Sequence, residues 1–190
     1  VYDEATAILV GDGLQARAFE LIADAPALSA EQKVKIIRVL AQASGLHGMV
    51  GGQYIDISST GEDLTLEQLQ AMHALKTGAL IRAALAMGGI AANAKPGQLA
   101  ALDEYGTHIG LAFQVVDDIL DVEGDSATLG KTQGKDEDAN KPTYVKLMGL
   151  DGAKAEADRL LQQALVALDD FGDSADYLRD LARYIVKRDR

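Results

Sequence analysis

Asp117, Asp118 and Asp121 are the residues in this 190-residue chain whose spacing points most directly to chemistry. On a helix, Asp117 and Asp121 are i and i+4, and Asp118 and Asp121 are i and i+3. The three carboxylates then share one face within about one turn. Around them Ile109, Leu111, Phe113, Val115, Val116, Ile119, Leu120 and Val122 leave almost no polar flank, which marks a buried helix. Three like charges at such a place repel one another and lose hydration. No Lys or Arg lies between Lys95 and Lys131 to offset them. The compensating charge must come from basic groups elsewhere in the chain or from metal ions, and clustered carboxylates suit a hard cation such as Mg²⁺. A solvated helix end is the other reading of the same residues.

Other polar groups interrupt the apolar pattern. Gly130-Lys131-Thr132-Gln133-Gly134-Lys135-Asp136, with Lys141 beyond it, places lysines between glycines, as an anion held by ammonium and backbone N–H groups requires. It lacks the spacing of a Walker A loop, and read alone it also fits a solvated loop. Lys76-Thr77 interrupts an otherwise apolar helix, where the lysine either serves the interior or snorkels to the surface. Gln53 and Asp56 are i and i+3 on one face, and Gln114 is three residues before Asp117 on the aspartate face. Such glutamines also occur as satisfied core groups. His47, His73 and His108 lack the spacing of a zinc site and read as core or surface histidines. No Gly-x-Ser-x-Gly nucleophile element is present. Carboxylates for Mg²⁺, lysines for phosphate oxygens and a large apolar helical interior together imply a substrate with a charged head and a greasy tail. A prenyl diphosphate has that shape.

These groups must be positioned by helices. Asp3 caps a helix to about Ala23, with apolar positions Ala7, Ile8, Leu14, Ala18, Leu21 and Ile22. Ser29 with Gln32 forms a capping box that opens a helix to about Ser44. A glycine-rich apolar stretch follows, Leu46 to Ile57. Thr65 with Gln68 forms a second capping box, and its helix runs to Gly88-Gly89. Pro96 starts the long helix that reaches the aspartates. Gly124 to Asn140 reads as a loop. Pro142 restarts a short helix to Leu147, Asp151 caps an amphipathic helix to about Leu168, and a last helix spans Ala175 to Lys187, where Lys187, Arg188 and Arg190 suit a helix C-terminus. No run of period-two alternation appears, so the expectation is one all-α domain over residues 1–190.

Composition narrows the function classes. The net charge of −11 argues against general nucleic-acid binding and against docking on an anionic membrane by charge alone. The longest uncharged run, Val39 to Ile55, holds Gln, Ser, His and four glycines, so no stable membrane insertion is expected. The absence of cysteine excludes disulfides and thiolate chemistry and leaves the cytoplasm as the default location.

At these residues the chain resembles the trans-isoprenyl diphosphate synthases, of the bacterial farnesyl and geranylgeranyl diphosphate synthase type. The matching stretches are Asp3-Glu4-Ala5 through Gly11-Asp12-Gly13-Leu14, Gly48-Met49-Val50-Gly51-Gly52-Gln53 with Asp56, Lys76-Thr77-Gly78, Gly110 through Phe113-Gln114 to Asp117-Asp118-Ile119-Leu120-Asp121, Gly130-Lys131, Gly134-Lys135-Asp136, and Lys141 to Tyr144. The resemblance implies an isoprenoid synthase-type helical bundle around a central cavity, Mg²⁺ as cofactor, and a homodimer. It implies that isopentenyl diphosphate condenses with an allylic diphosphate (dimethylallyl or geranyl) to give a short-chain product, with farnesyl diphosphate expected. It further implies that Asp117 ligates Mg²⁺ directly while Asp118 and Asp121 act through metal-bound waters. Lys76, Lys131 and Lys141 would hold the allylic diphosphate, with Lys135 and Asp136 beside them. Thr77 and Gln114 would place oxygen dipoles near the carbocation, and Gln53, Asp56 and Phe113 belong to the substrate cavity.

Two departures from the family pattern stand out. Its first aspartate-rich motif, with the arginines that follow, normally lies upstream of the position where this sequence starts, so the chain matches only the C-terminal two-thirds or so of a member. Alone it is therefore expected to be inactive. Val145 also stands where Pro is more usual, and a local change at a helix start is expected. Two other readings follow from the first departure and the aspartates: a non-catalytic subunit of a heteromeric synthase, and a terpene cyclase. The retained second motif and Gly-Lys loop disfavour the former. The lack of an Asn/Ser/Glu-type metal motif disfavours the latter.

Overall fold

The computed structural model describes residues 3–128 and 142–188 and, for residues 125–128, only the backbone course. No strand occurs among them, and the fold is all-α. The helices are α1 (Glu4–Asp24), α2 (Ala30–Ser44), α3 (Met49–Ser58), α4 (Leu66–His73), α5 (Ala79–Ala91), α6 (Pro96–Thr128), α7 (Tyr144–Ala167) and α8 (Asp176–Lys187).

Side-chain caps set several starts. The Asp3 carboxylate accepts the Thr6 N–H at 2.8 Å. Both capping boxes form, at Ser29/Gln32 and Thr65/Gln68, each satisfying two backbone donors that a helix start otherwise leaves unpaired. The Gln32 amide also donates to the Ile90 carbonyl at 2.9 Å, tying the start of α2 to the end of α5.

The structure corrects two sequence-based boundaries. The helix opened by Thr65 is broken: α4 passes into a π-helical turn, Ala74–Gly78, before α5 begins. Such a turn inserts a residue's worth of backbone and often sits at a functional site, and this one carries Lys76 and Thr77. The long helix α6 continues past Gly124 to Thr128, because a single glycine with no proline nearby does not stop a helix already packed on its neighbour. The run Tyr144–Ala167 is broken at Gly149, whose φ of +74° and ψ of 163° are non-helical, so the expected short helix after Pro142 and the longer one ending near Leu168 both form. The cap of the run is Thr143, whose hydroxyl accepts the Lys146 N–H at 3.2 Å. With Val145 in its first turn the helix starts normally.

The core lies between α6 and α7. Tyr105, Ile109, Ala112, Val116 and Ile119 form a stripe at alternating spacings of four and three along α6. Ala153, Ala157, Leu160, Leu161 and Ala164 answer from α7. The buried Tyr105 hydroxyl donates to the Leu178 carbonyl at 2.7 Å, anchoring α8. Two glycines permit the closest backbone approaches. A Cβ at Gly52 on α3 would lie 2.2 Å from the Lys76 amide nitrogen, and one at Gly110 on α6 would lie 3.0 Å from the Gly78 Cα. The π turn is therefore pressed between α3 and α6. By contrast, α1 buries no residue, and Ile8, Leu9, Val10, Leu14 and Leu21 are exposed.

Among the described residues one segment, Leu66–Ala91, is long and apolar enough to cross a membrane by length and composition, with a mean hydropathy of 1.3. It is interrupted by the π turn, and its Arg82 makes a two-bond pair with Asp103 of α6 at 2.7 and 2.8 Å.

Candidate active site

A cavity of about 440 Å³ opens where α3, the π turn, α6 and the start of α7 meet. It is lined by Asp56, Lys76, Thr77, Gln114 and all three aspartates, Asp117, Asp118 and Asp121, with Leu64, Met72 and His73 among its walls. Thus residues that are far apart in the chain converge on one space. Gln53 and Phe113 do not line it. Gln53 is on α3 one turn before Asp56, and the Phe113 ring instead supports an arginine. Lys131, Lys135 and Lys141, and Asp136 with them, lie outside the described residues.

Each wall group has a specific partner. The Lys76 ammonium does not snorkel outward: its Nζ is 2.6 Å from Asp56 Oδ2, with only 30% of the lysine side chain and 16% of the aspartate exposed. The Gln114 amide nitrogen donates to Asp117 Oδ2 at 3.2 Å, which leaves the amide oxygen outside that bond. Asp118 accepts the backbone N–H of Tyr144 at 2.7 Å. This is the first residue of α7, whose N–H has no partner within its own helix, and the positive helix end suits a carboxylate. Burial pushes Asp118 up to about 6, and the neighbouring charges of Asp121 and Asp117 add to the rise while the Tyr144 N–H opposes it. Burial raises Asp117 as well, against the pull of an arginine.

That arginine is Arg188, the group the sequence reading missed. It follows the last residue of α8, and its guanidinium hydrogen-bonds the Asp117 carboxylate. It also donates to the Phe113 carbonyl oxygen at 3.4 Å and sits 4.3 Å from the centroid of the Phe113 ring, a cation–π arrangement. Part of the charge balance assigned to Mg²⁺ and lysines is therefore carried by Arg188. Lys76, assigned to a diphosphate, is paired with Asp56. His73 was read as a plain core or surface residue, yet it stands on the cavity wall three residues before Lys76, a spacing that could have marked it. Burial, with Lys76 adding and Asp56 opposing, pushes its imidazole down to about 4.

The donors fit Mg²⁺ of a particular kind. Among the described residues no group of three acidic or imidazole side chains converges as a closed metal cage. What they offer is hard oxygen donors in excess on one cavity wall, two of them raised by burial. Mg²⁺ is commonly held in this way, by one or two carboxylates with the remaining ligands from phosphate and water.

Comparison with known proteins identifies the family. The family model for polyprenyl synthetase matches residues 1–181. The farnesyl diphosphate synthase of Haemophilus influenzae is 47% identical over 98% of this chain and 64% of its own length. That of Escherichia coli is 45% identical over 100% of this chain and 65% of its own length. The chain thus spans a little under two thirds of these relatives. Among solved structures, a putative farnesyl-diphosphate synthase from Marinomonas sp. MED121 aligns with a TM-score of 0.85 at 47% identity, covering 98% of this chain and 64% of that one. A geranyltransferase from Helicobacter pylori complexed with magnesium and isoprenyl diphosphate aligns at 0.79 and 36% identity, covering 97% of this chain and 60% of that one. Matched along nearly its whole length, the chain belongs to the polyprenyl synthetase family.

Proposed function

We propose that this chain is the greater part of a short-chain trans-prenyltransferase that condenses isopentenyl diphosphate with dimethylallyl or geranyl diphosphate to give farnesyl diphosphate. The observation that carries the reading is the cavity itself, which three carboxylates, a lysine and a threonine line together with Leu64 and Met72. The names of the relatives, farnesyl diphosphate synthases at 45 and 47% identity, support the substrate class.

Asp117, Asp118 and Asp121 would hold Mg²⁺ together with the allylic diphosphate. When bound, the metal stabilises the charge that develops on the departing diphosphate. Lys76 adds a positive charge on the same side, kept in the cavity by Asp56 rather than lost to solvent. The Thr77 hydroxyl and the Gln114 amide oxygen offer dipoles to an allylic cation. Leu64 and Met72 help keep water from that cation. Lys131, Lys135 and Lys141 belong to the diphosphate side by resemblance. The double bond of isopentenyl diphosphate then attacks, and the departing diphosphate accepts the proton that is lost.

A homodimer in the cytoplasm is part of the same reading. The exposed apolar residues of α1 support the former. The test is product analysis of the full-length protein with Mg²⁺ and both five-carbon diphosphates. Farnesyl diphosphate is expected, and release of a cyclic hydrocarbon from an allylic diphosphate alone would favour a terpene cyclase instead.

A further inference from the structure

Asp118 is held by a backbone N–H, so whatever fixes that N–H fixes the carboxylate. The N–H belongs to Tyr144, the first residue of α7. The Tyr144 side chain is fully buried, and its hydroxyl has no hydrogen-bond partner among the described residues. Hydrogen bonding therefore does not anchor the ring, and packing must. The aromatic neighbour is His73, whose ring centroid lies 5.6 Å away at an interplanar angle of 38°, within the range of favourable aromatic pairs. The His73 Nδ1 is also buried without a partner among the described residues. His73 is the last residue of α4 and runs directly into the π turn that presents Lys76 and Thr77.

From this geometry we infer that His73 is a positioning residue of the proposed active site: its ring, through Tyr144, sets Asp118 and ties the metal-holding wall to the wall that carries Lys76. The contribution comes from the flat ring, since Nδ1 has no hydrogen-bond partner among the described residues and burial lowers the basicity of His73. Neither residue touches a reacting atom in this account. The contact gives the two walls a common register, so that metal and lysine meet the same diphosphate. The inference rests on the prenyltransferase reading for the identity of that diphosphate.

The test uses the full-length protein and Mn²⁺ in the presence of inorganic diphosphate, with free metal followed by electron paramagnetic resonance. His73→Leu, which fills the site without a ring, is expected to weaken Mn²⁺ binding about tenfold, the usual effect of losing a support behind a ligand. His73→Phe is expected to restore most of that loss. Asp118→Asn is expected to weaken binding as well, and His73→Leu in that background to add nothing, because both changes remove one interaction. His73→Ala serves the same comparison if the leucine variant does not fold. Wild-type affinity in His73→Leu, equal loss in His73→Phe, full additivity with Asp118→Asn, or a wild type that binds no Mn²⁺ would each overturn the inference. Metal binding does not require turnover. A wild type that shows the coupling but makes no prenyl product sinks the functional reading alone, and one that makes product with an additive cycle sinks this inference alone.

Discussion

Asp118 and His73 stand on the same cavity and titrate in opposite senses. Asp118 is raised from 3.8 to about 6, so the folded state binds the extra proton between those values, and stability contributed by this group falls as pH rises through that window. His73 is lowered from 6.5 to about 4, so the unfolded state binds the extra proton, and its contribution falls as pH drops through that window. The two oppose each other between about pH 4 and 6. Relative to wild type, metal-free Asp118→Asn should lose unfolding temperature more steeply on acidification from pH 6.5 to 4.5. His73→Phe should lose it less steeply. Thermal melts across that range check both signs.

Arg188 makes a second residue-scale case. Replacing it with Gln removes the counter-charge of Asp117 and the cation over Phe113. Because Asp117 is 41% exposed, the cost is modest, about 1 kcal/mol, read as a lower denaturant midpoint in the metal-free protein. The aspartates and Gln114 were legible because helical spacing alone puts them on one face, and Lys76 because it interrupts an otherwise apolar stretch. Arg188 was not, because its partner is 71 residues away and no local pattern distinguishes a tertiary ion pair from an ordinary basic helix end.

At the scale of elements, the site depends on a π turn held between two helices. Gly52 is the critical position: a Cβ there would lie 2.2 Å from the Lys76 amide nitrogen and 2.6 Å from its Cα. Gly52→Ala must push α3 off the turn, at a cost of about 3 kcal/mol, and separate Lys76 from Asp56. Circular dichroism melts and the allylic-substrate KM should both register it. An alanine at the exposed Gly97, where a Cβ meets nothing, is expected to be neutral or slightly stabilising. The sequence reading saw a glycine-rich apolar stretch from Leu46 to Ile57, where missing side chains leave room for a close approach. It could not name the approaching backbone, and it ran α4 into α5 because the apolar residues keep helical spacing on both sides of Ala74–Gly78. Periodicity registers faces, and a one-residue widening of the backbone barely changes them.

At the scale of the whole molecule, the bundle is well filled on one side and bare on the other. The α6–α7 core buries its apolar stripe, as the nearly unbroken apolar flank of the aspartates predicted. The apolar residues of α1 find no cover within the described residues. Here sequence reading was right about the helix and silent about its environment, since an apolar face says that something covers it but not what. With the chain spanning a little under two thirds of its curated relatives, its 190 residues alone are expected to give no turnover of allylic and isopentenyl diphosphates.

The central claim is that Asp117, Asp118 and Lys76 form one side of a Mg²⁺-dependent prenyl-transfer site. The most direct test is product analysis of the full-length protein with dimethylallyl and isopentenyl diphosphates, comparing wild type with Asp117→Ala. The expected result is farnesyl diphosphate from the wild type, none after chelation of divalent metal, and at least about a 100-fold lower rate in the variant. Undiminished turnover in Asp117→Ala, or metal-independent product, would contradict it.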